Sequence, residues 1–318
     1  MPQAEWQQRG IRTDLAMEAH ELAGGETGRP LPGVRVEQQR EEGNTITRIT
    51  VEDEAAGRAL GKLPGHYVTI QTPDLQSQNR DKTEILSRIL AREIEGFLDR
   101  LAVGPEDLCF VAGLGNWAST PDSIGPKVVR SILVTRHLWD FSPPEKRGGL
   151  RPVCTMAPGV LGITGLETSE IIFAIVGRIR PRFVVAVDAL AARTVERLGT
   201  TIQLSDTGIH PGSGLGNNRI GLTPGFLGVP VVAIGIPTVV YASTIVADAL
   251  EKMGEARRGP AAGQRDHLRR VLSPELAELV VTPKEIDLLV DEVAKVVAAA
   301  LNIALHPGVG PDEVFRYL

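Results

Sequence analysis

The chain has 318 residues, 42% hydrophobic and 23% charged, with a formal net charge of −5. That composition fits one large globular domain or two smaller ones, and an acidic balance without a long basic run argues against direct nucleic-acid binding. No apolar run approaches the roughly 20 residues of a membrane span and the N-terminus lacks an apolar signal core, so a cytoplasmic protein without a membrane partner is expected.

Residues 1–30 are polar and rich in Glu, Gln and Gly. Residues 14–19 can form a short helix, but nothing before them reads as core, and a frayed terminus is expected. Residues 34–37 and 45–51 alternate apolar with polar side chains around Glu42-Gly43, which predicts an antiparallel hairpin with one wet face. Residues 66–70 read as a further strand. From 81 to 101 the apolar residues Ile85, Ile89, Leu90, Ile94, Phe97 and Leu98 follow a helical period.

The apolar run 108–112 predicts a buried strand that leads into Gly113-Leu114-Gly115-Asn116. The two glycines permit a tight turn with close backbone approach. Thr120 before Pro121 predicts an N-cap with Pro at the first helical position, which places Asp122 in the first turn of a helix reaching to Leu133. Asp122 there either complements the helix dipole or works at the strand end, where sites in open α/β sheets are built. A dinucleotide site does not fit, because position 118 is Ala where the fingerprint needs Gly, and no phosphate-binding G-x-x-x-x-G-K-[ST] loop occurs.

Residues 136–151 read as an exposed loop and 153–159 as a short strand running into a loop. A helix is predicted over 168–179, capped by Thr168. The continuous β-branched run 183–187 is the clearest buried strand. It is expected to end at Asp188, a carboxylate that serves the site or caps a helix through Ala191 and Val195. A strand over 200–204 follows, then a Gly-rich polar loop over 205–219 suited to binding. Its Asp206-Thr207-Gly208 matches the triplet of pepsin-like proteases in three residues only, without an all-β texture, and is taken as accidental. The last strand is expected over 229–237, then a helix over 238–252, a loop over 254–265 and a long helix over 283–305. Cys109 and Cys154 sit in apolar runs and are expected to be reduced thiols, and no C-x-x-C or His/Cys cluster suggests structural zinc.

Strands alternating with helices predict an α/β fold: a three-layer α/β/α sandwich with a mixed, mostly parallel sheet and an added antiparallel hairpin near the N-terminus. Asp122 and Asp188 each follow an apolar strand. If those strands are neighbours, both carboxylates face one crevice. Two close carboxylates do not ionise together easily, so an ionised one can activate water while a protonated one donates to a carbonyl oxygen. The same pair can instead hold a divalent metal that polarises the bond. A binding module without chemistry is the reading from a different class, and the 205–219 loop suits it.

The spacing Gly113-x-Gly115-Asn116, four residues, Asp122-x-x-Gly125 resembles the signature of hydrogenase-maturation proteases. The closer resemblance is to the germination proteases of spore-forming bacteria. Four segments carry it: Arg12-Thr13-Asp14-Leu15-Ala16, Gly113 to Pro126, Val187-Asp188-Ala189-Leu190-Ala191-Ala192-Arg193, and Asp206 to Arg219. The resemblance implies a phosphorylase/hydrolase-like fold. It also implies an endopeptidase, made as an autoprocessed zymogen, that degrades small acid-soluble spore proteins during germination. Asp122 and Asp188 match the family's proposed catalytic pair, described both as aspartic-type and as metallopeptidase. Thr13-Asp14-Leu15-Ala16 matches the processing site, so a 1–14 propeptide, cut between Asp14 and Leu15, and a single 15–318 peptidase domain are expected. Asn116 and His210 are candidate substrate contacts. The expected partners are the spore proteins as substrate and further copies in a homotetramer. No cofactor is expected beyond a possible divalent metal, and the implied location is the cytoplasm of the developing forespore and the spore core.

Overall fold

A computed structural model of the chain describes residues 13–24, 31–73, 79–139, 147–210, 220–256 and 279–317, with Leu75, Phe141, Pro143 and Glu145. Its strands are β1 (Val34–Glu41), β2 (Asn44–Val51), β3 (Gly65–Gln71), β4 (Cys109–Gly113), β5 (Val153–Met156), β6 (Phe183–Ala192), β7 (Thr201–Ser205), β8 (Val231–Tyr241) and β9 (Val280–Val281). They form one sheet in the order β1-β2-β3-β7-β8-β6-β4-β5, with β9 added to β8. The core strands β5, β4, β6 and β8 run parallel. The others pair antiparallel, beginning with the hairpin β1–β2. This is the mixed α/β sheet expected, with its parallel strands β8, β6, β4 and β5 gathered at one end of the order and the antiparallel hairpin at the other.

The principal helices are α1 (Ala16–Gly24), α2 (Glu54–Leu60), α3 (Arg80–Arg100), α4 (Ile124–Arg130), α5 (Thr168–Ile179), α6 (Ala242–Ala256) and α7 (Ile286–Leu305). The β-branched strands are buried on both faces because helices cover both. On one side Val111, Val185, Val187 and Ile234 pack with α3, α4 and α7. On the other, Phe110, Ala112, Val184, Ala186 and Leu190 pack with Ile172 and Val176 of α5 and with Leu15. The helical period over 81–101 holds except at Ile85, which is exposed: Leu86, Ile89, Leu90, Ile94, Phe97 and Leu98 are buried, and the Asn79 side chain caps the first turn of α3. No helix among the described residues is long and apolar enough to cross a membrane.

Several boundaries differ from expectation for tertiary reasons. Residues 13–24 are not frayed: Leu15, Ala16 and Ala19 are buried, and Asp14 N donates to Ala191 O on β6. The strand after 183 does not stop at Asp188 but continues to Ala192, because 188–192 pairs with β8; the helix expected through Ala191 and Val195 is absent. Strand β8 likewise extends through Tyr241, so α6 starts only at Ala242, and β9 follows as a later strand. Thr120 is not an N-cap. Thr120–Asp122 forms a 3-10 turn, and α4 begins at Ile124. That helix ends at Arg130, short of Leu133, where Asn302 of α7 takes the chain over: its Nδ2 donates to Ser131 O and its Oδ1 accepts from Leu133 N. Arg151, placed by the sequence in an exposed loop, is buried and donates to the carbonyls of Gly104, Asp107 and Leu305. The cap of α5 is Glu167, in a reciprocal capping box with Glu170, while the Thr168 hydroxyl donates to Gly159 O.

Candidate active site

Strands β4 and β6 are neighbours and parallel, with Gly113 opposite Val187 as the last pair. The chain leaving β4 stays tied to β6, since Leu114 N donates to Val187 O at 2.8 Å. Asp188 is the next residue, inside β6, on the face shared with Val184, Ala186 and Leu190. It is 4% exposed, and its Oδ1 accepts from Ala189 N at 2.9 Å. Asp122 closes the loop after β4: its carbonyl and its Oδ2 both accept from Asn116 N at 2.9 Å. The turn holding Asp122 touches β6, β8 and α7.

Two glycines make this crossing possible. Gly115 has φ +113° and lies against the Asp122 backbone. A Cβ on Gly125 would fall 2.3 Å from Leu114 O, 2.5 Å from Leu114 N and 2.6 Å from Val187 O. The first turn of α4 is therefore pressed against the hydrogen bond that joins the β4 loop to the residue before Asp188. Both carboxylates thus arise where β4 stops, at the carboxyl end of the parallel core.

Across the sheet, Asp188 stands opposite Gly235 on β8, Gly235 opposite Gln203 on β7, and Gln203 opposite Thr69 on β3. Strands lie about 4.8 Å apart, so Gln203 is about 10 Å from Asp188 along this row. Gly235 between them has no side chain, and the Leu190 side chain fills the space over it, 2.3 Å from where a Cβ would lie. Gln203 grips the N-terminal segment: its Nε2 donates to Asp14 O at 3.4 Å, and its Oε1 accepts from Ala16 N at 2.5 Å.

The segment around Asp14 is held at further points. Asp14 Oδ2 accepts from Ala191 N at 2.9 Å, three residues beyond Asp188, and Lys62 Nζ donates to Asp14 O at 2.7 Å. Leu15 N donates to Thr13 Oγ1, which donates in turn to Glu18. Glu18 is fully buried and also accepts from Arg193 N and Thr194 N. Burial raises the Glu18 pKa against the lowering effect of those bonds, and burial lowers that of Lys62, with Asp14 and Glu18 opposing.

The two other candidates fall in different places. Asn116 uses its backbone on Asp122 and its Oδ1 on Ala118 N, so it shapes the loop. His210 lies beside Gly221, on the Lys62 and Asp14 side; burial, then Lys62, lowers its pKa and Asp14 opposes. Residues 211–219 of the Gly-rich loop, and residues 1–12 of the expected propeptide, lie outside the described residues. The carboxylate of Asp206 is taken by His66, through both N and Nδ1 at 2.7 Å, which ties the loop after β7 to β3. Among the described residues no group of three or more His, Cys, Asp or Glu comes together in the manner of a metal site. The pair Asp122 and Asp188 alone is a thin donor set for a divalent ion. Lys62, Gln203 and Glu18 gave no signal in the sequence, for each acts through partners far away in the chain.

Comparison with known proteins supplies a family. The family model described as germination protease matches residues 12–256 and 252–318. Relatives named germination protease include those of Bacillus cereus strain B4264, 41% identical over 96% of both chains, and Bacillus mycoides strain KBAB4, 40% identical over 96% of both. Among solved structures, a NiFe hydrogenase maturation protease from Thermococcus kodakarensis KOD1 aligns with 64% of this chain and 98% of its own at 16% identity, TM-score 0.33.

Proposed function

The chain belongs to the germination protease family, and from that premise we propose an endopeptidase, made as a self-processing precursor, that begins the breakdown of small acid-soluble spore proteins with Asp122 and Asp188 as its working carboxylates. The observation that carries this reading is the stitching of the Asp122 loop to β6 by the Leu114–Val187 hydrogen bond, one residue before Asp188. It supports one crevice fed by two carboxylates at the end of adjacent parallel strands. In such a pair an ionised carboxylate takes a proton from water as the water oxygen adds to the peptide carbonyl. The protonated partner donates to the carbonyl oxygen. The C–N bond then breaks, the amine leaves with a proton, and a carboxylate remains.

On this reading the chain is cut between Asp14 and Leu15, residues 1–14 leave, and 15–318 is the peptidase. The family likeness also supports a homotetramer acting in the spore core, which light scattering of the purified chain tests directly. The decisive experiment replaces Asp122 or Asp188 by Asn, a change that keeps the shape and the acceptor oxygen. Each variant is expected to lose self-processing and substrate cleavage by about 10³-fold or more while its unfolding midpoint stays close to that of the parent. Normal processing by either folded variant overturns the assignment.

A further inference from the structure

We propose that Lys62, assisted by Gln203, is the electrophile that polarises the Asp14 carbonyl when the chain cuts itself. This rests on the reading that processing occurs between Asp14 and Leu15. The carbonyl oxygen of that bond receives two side-chain donors, the Lys62 ammonium at 2.7 Å and the Gln203 amide at 3.4 Å. A lysine beside an aspartate ordinarily meets its carboxylate. Here Asp14 Oδ2 is turned to Ala191 N on β6, and the ammonium goes to the backbone carbonyl instead. The leaving side is held as well: Leu15 N is bound to Thr13 Oγ1, Ala16 N to Gln203 Oε1, and the Leu15 side chain is buried among residues of the Asp188 face of the sheet. Gln203 lies in the same cross-sheet row as Asp188, with Gly235, covered by the Leu190 side chain, between.

These contacts assign a division of labour. Water adds to the Asp14 carbonyl carbon, giving its proton to the carboxylate pair. Negative charge gathers on the carbonyl oxygen, where Lys62 keeps its proton and adds its charge to the donation by the protonated carboxylate. The C–N bond breaks as the carboxylate pair passes that proton to Leu15 N and the hydroxyl of the adduct passes a second, so Leu15 leaves as an ammonium and Asp14 retains a new carboxylate facing Lys62. Lys62 is held for this task by its own backbone, whose N donates to Gly57 O at the end of α2, with Gly61 in the left-handed region. Burial lowers the Lys62 pKa, and Asp14 and Glu18 oppose that lowering by favouring the charged form. A donor placed on a developing oxyanion in a water-poor site is worth about 10²- to 10³-fold in rate.

The competing interpretation is that Lys62 is only a latch fastening the precursor. The two differ in sign: removing a latch leaves self-cleavage unchanged or speeds it, and removing an electrophile slows it. The test uses the full chain and follows release of residues 1–14 by mass spectrometry. Lys62→Met is expected to slow release about 100- to 1000-fold, Gln203→Leu by about 10-fold, and Lys62→Arg to recover part of the Met loss, with unfolding midpoints unchanged. Should the Met variant fail to fold, Lys62→Gln replaces it with the same expected order of loss. Release by folded Lys62→Met or Lys62→Gln within about threefold of the parent overturns the inference. A parent cut mapped away from the Asp14–Leu15 bond removes the premise instead, and normal processing by the Asp→Asn variants strikes at the carboxylates alone.

Discussion

His306 should make the stability of this protein fall on acidification. It follows the last turn of α7, is fully buried, and its ring is committed on both sides: Nδ1 accepts from Arg151 N at 3.2 Å, and Nε2 meets Leu133 O at 3.1 Å. The acceptor role of Nδ1 fixes the proton on Nε2. A second proton would displace the Arg151 bond and place a charge in a dry site near a guanidinium. Burial first, and Arg151 with it, lowers the pKa from 6.5 to about 4, against the raising effect of the Leu133 bond. The unfolded chain therefore takes up the proton before the native one. The contribution is complete above pH 6.5 and is lost as pH falls toward 4. At full development it is about 3 kcal/mol, with about 2.5 kcal/mol lost by pH 4.5, a sizeable part of a typical 5–15 kcal/mol. His306→Gln retains an acceptor and a donor but does not titrate. Urea unfolding at pH 7.5 and 4.5 should show the parent losing about 2.5 kcal/mol more than this variant, or about 1 M in midpoint. The comparison with the variant is essential, because Glu18, raised by burial, favours the native state at low pH and masks part of the loss. Equal pH slopes in parent and variant would refute the reasoning.

Two further outcomes follow from the packing, beside the carboxylate and Lys62 tests. Leu15→Ala removes a fully buried side chain from the β6 face and should cost about 3 kcal/mol in denaturant unfolding of the unprocessed chain; a loss under about 1 kcal/mol would mean the segment is not part of the core. Gly125→Ala would drive a Cβ into the Leu114 and Val187 backbone, so activity should drop at least tenfold with a stability loss of about 2 kcal/mol or more, and a variant of parental activity would contradict the close crossing at the site.

The sequence was most readable where local pattern and tertiary role agree. The β-branched run 183–187 and the 3.6-residue period of α3 each describe an element whose burial needs no distant partner to specify it. Residues 188–192, Asp-Ala-Leu-Ala-Ala, carry good helix formers, and pairing with β8 overrides that preference. The adjacency of β4 and β6 follows from the sheet topology, which no local pattern in the sequence specifies. Residues 14–19 form too short a run to announce a core segment, although Leu15 packs with Leu190 and Ala192, and Ala16 with Ile49 and Tyr67. Lys62 stands in a short Gly61-Lys62-Leu63-Pro64 connection with no motif. Its importance comes from a contact with a residue 48 positions earlier, which no local window contains.

If the chain is cut after Asp14 as proposed, the depth at which Leu15 lies bears on the form that remains. A chain shortened at Asp14 would begin with Leu15, which is fully buried in the full chain and followed directly by α1. Aminopeptidases need a loose, extended end to grasp, and here the first side chain offered to them is inaccessible. The shortened form would accordingly keep one uniform start and resist being nibbled away from that side, an advantage for an enzyme that must persist among the peptides it creates.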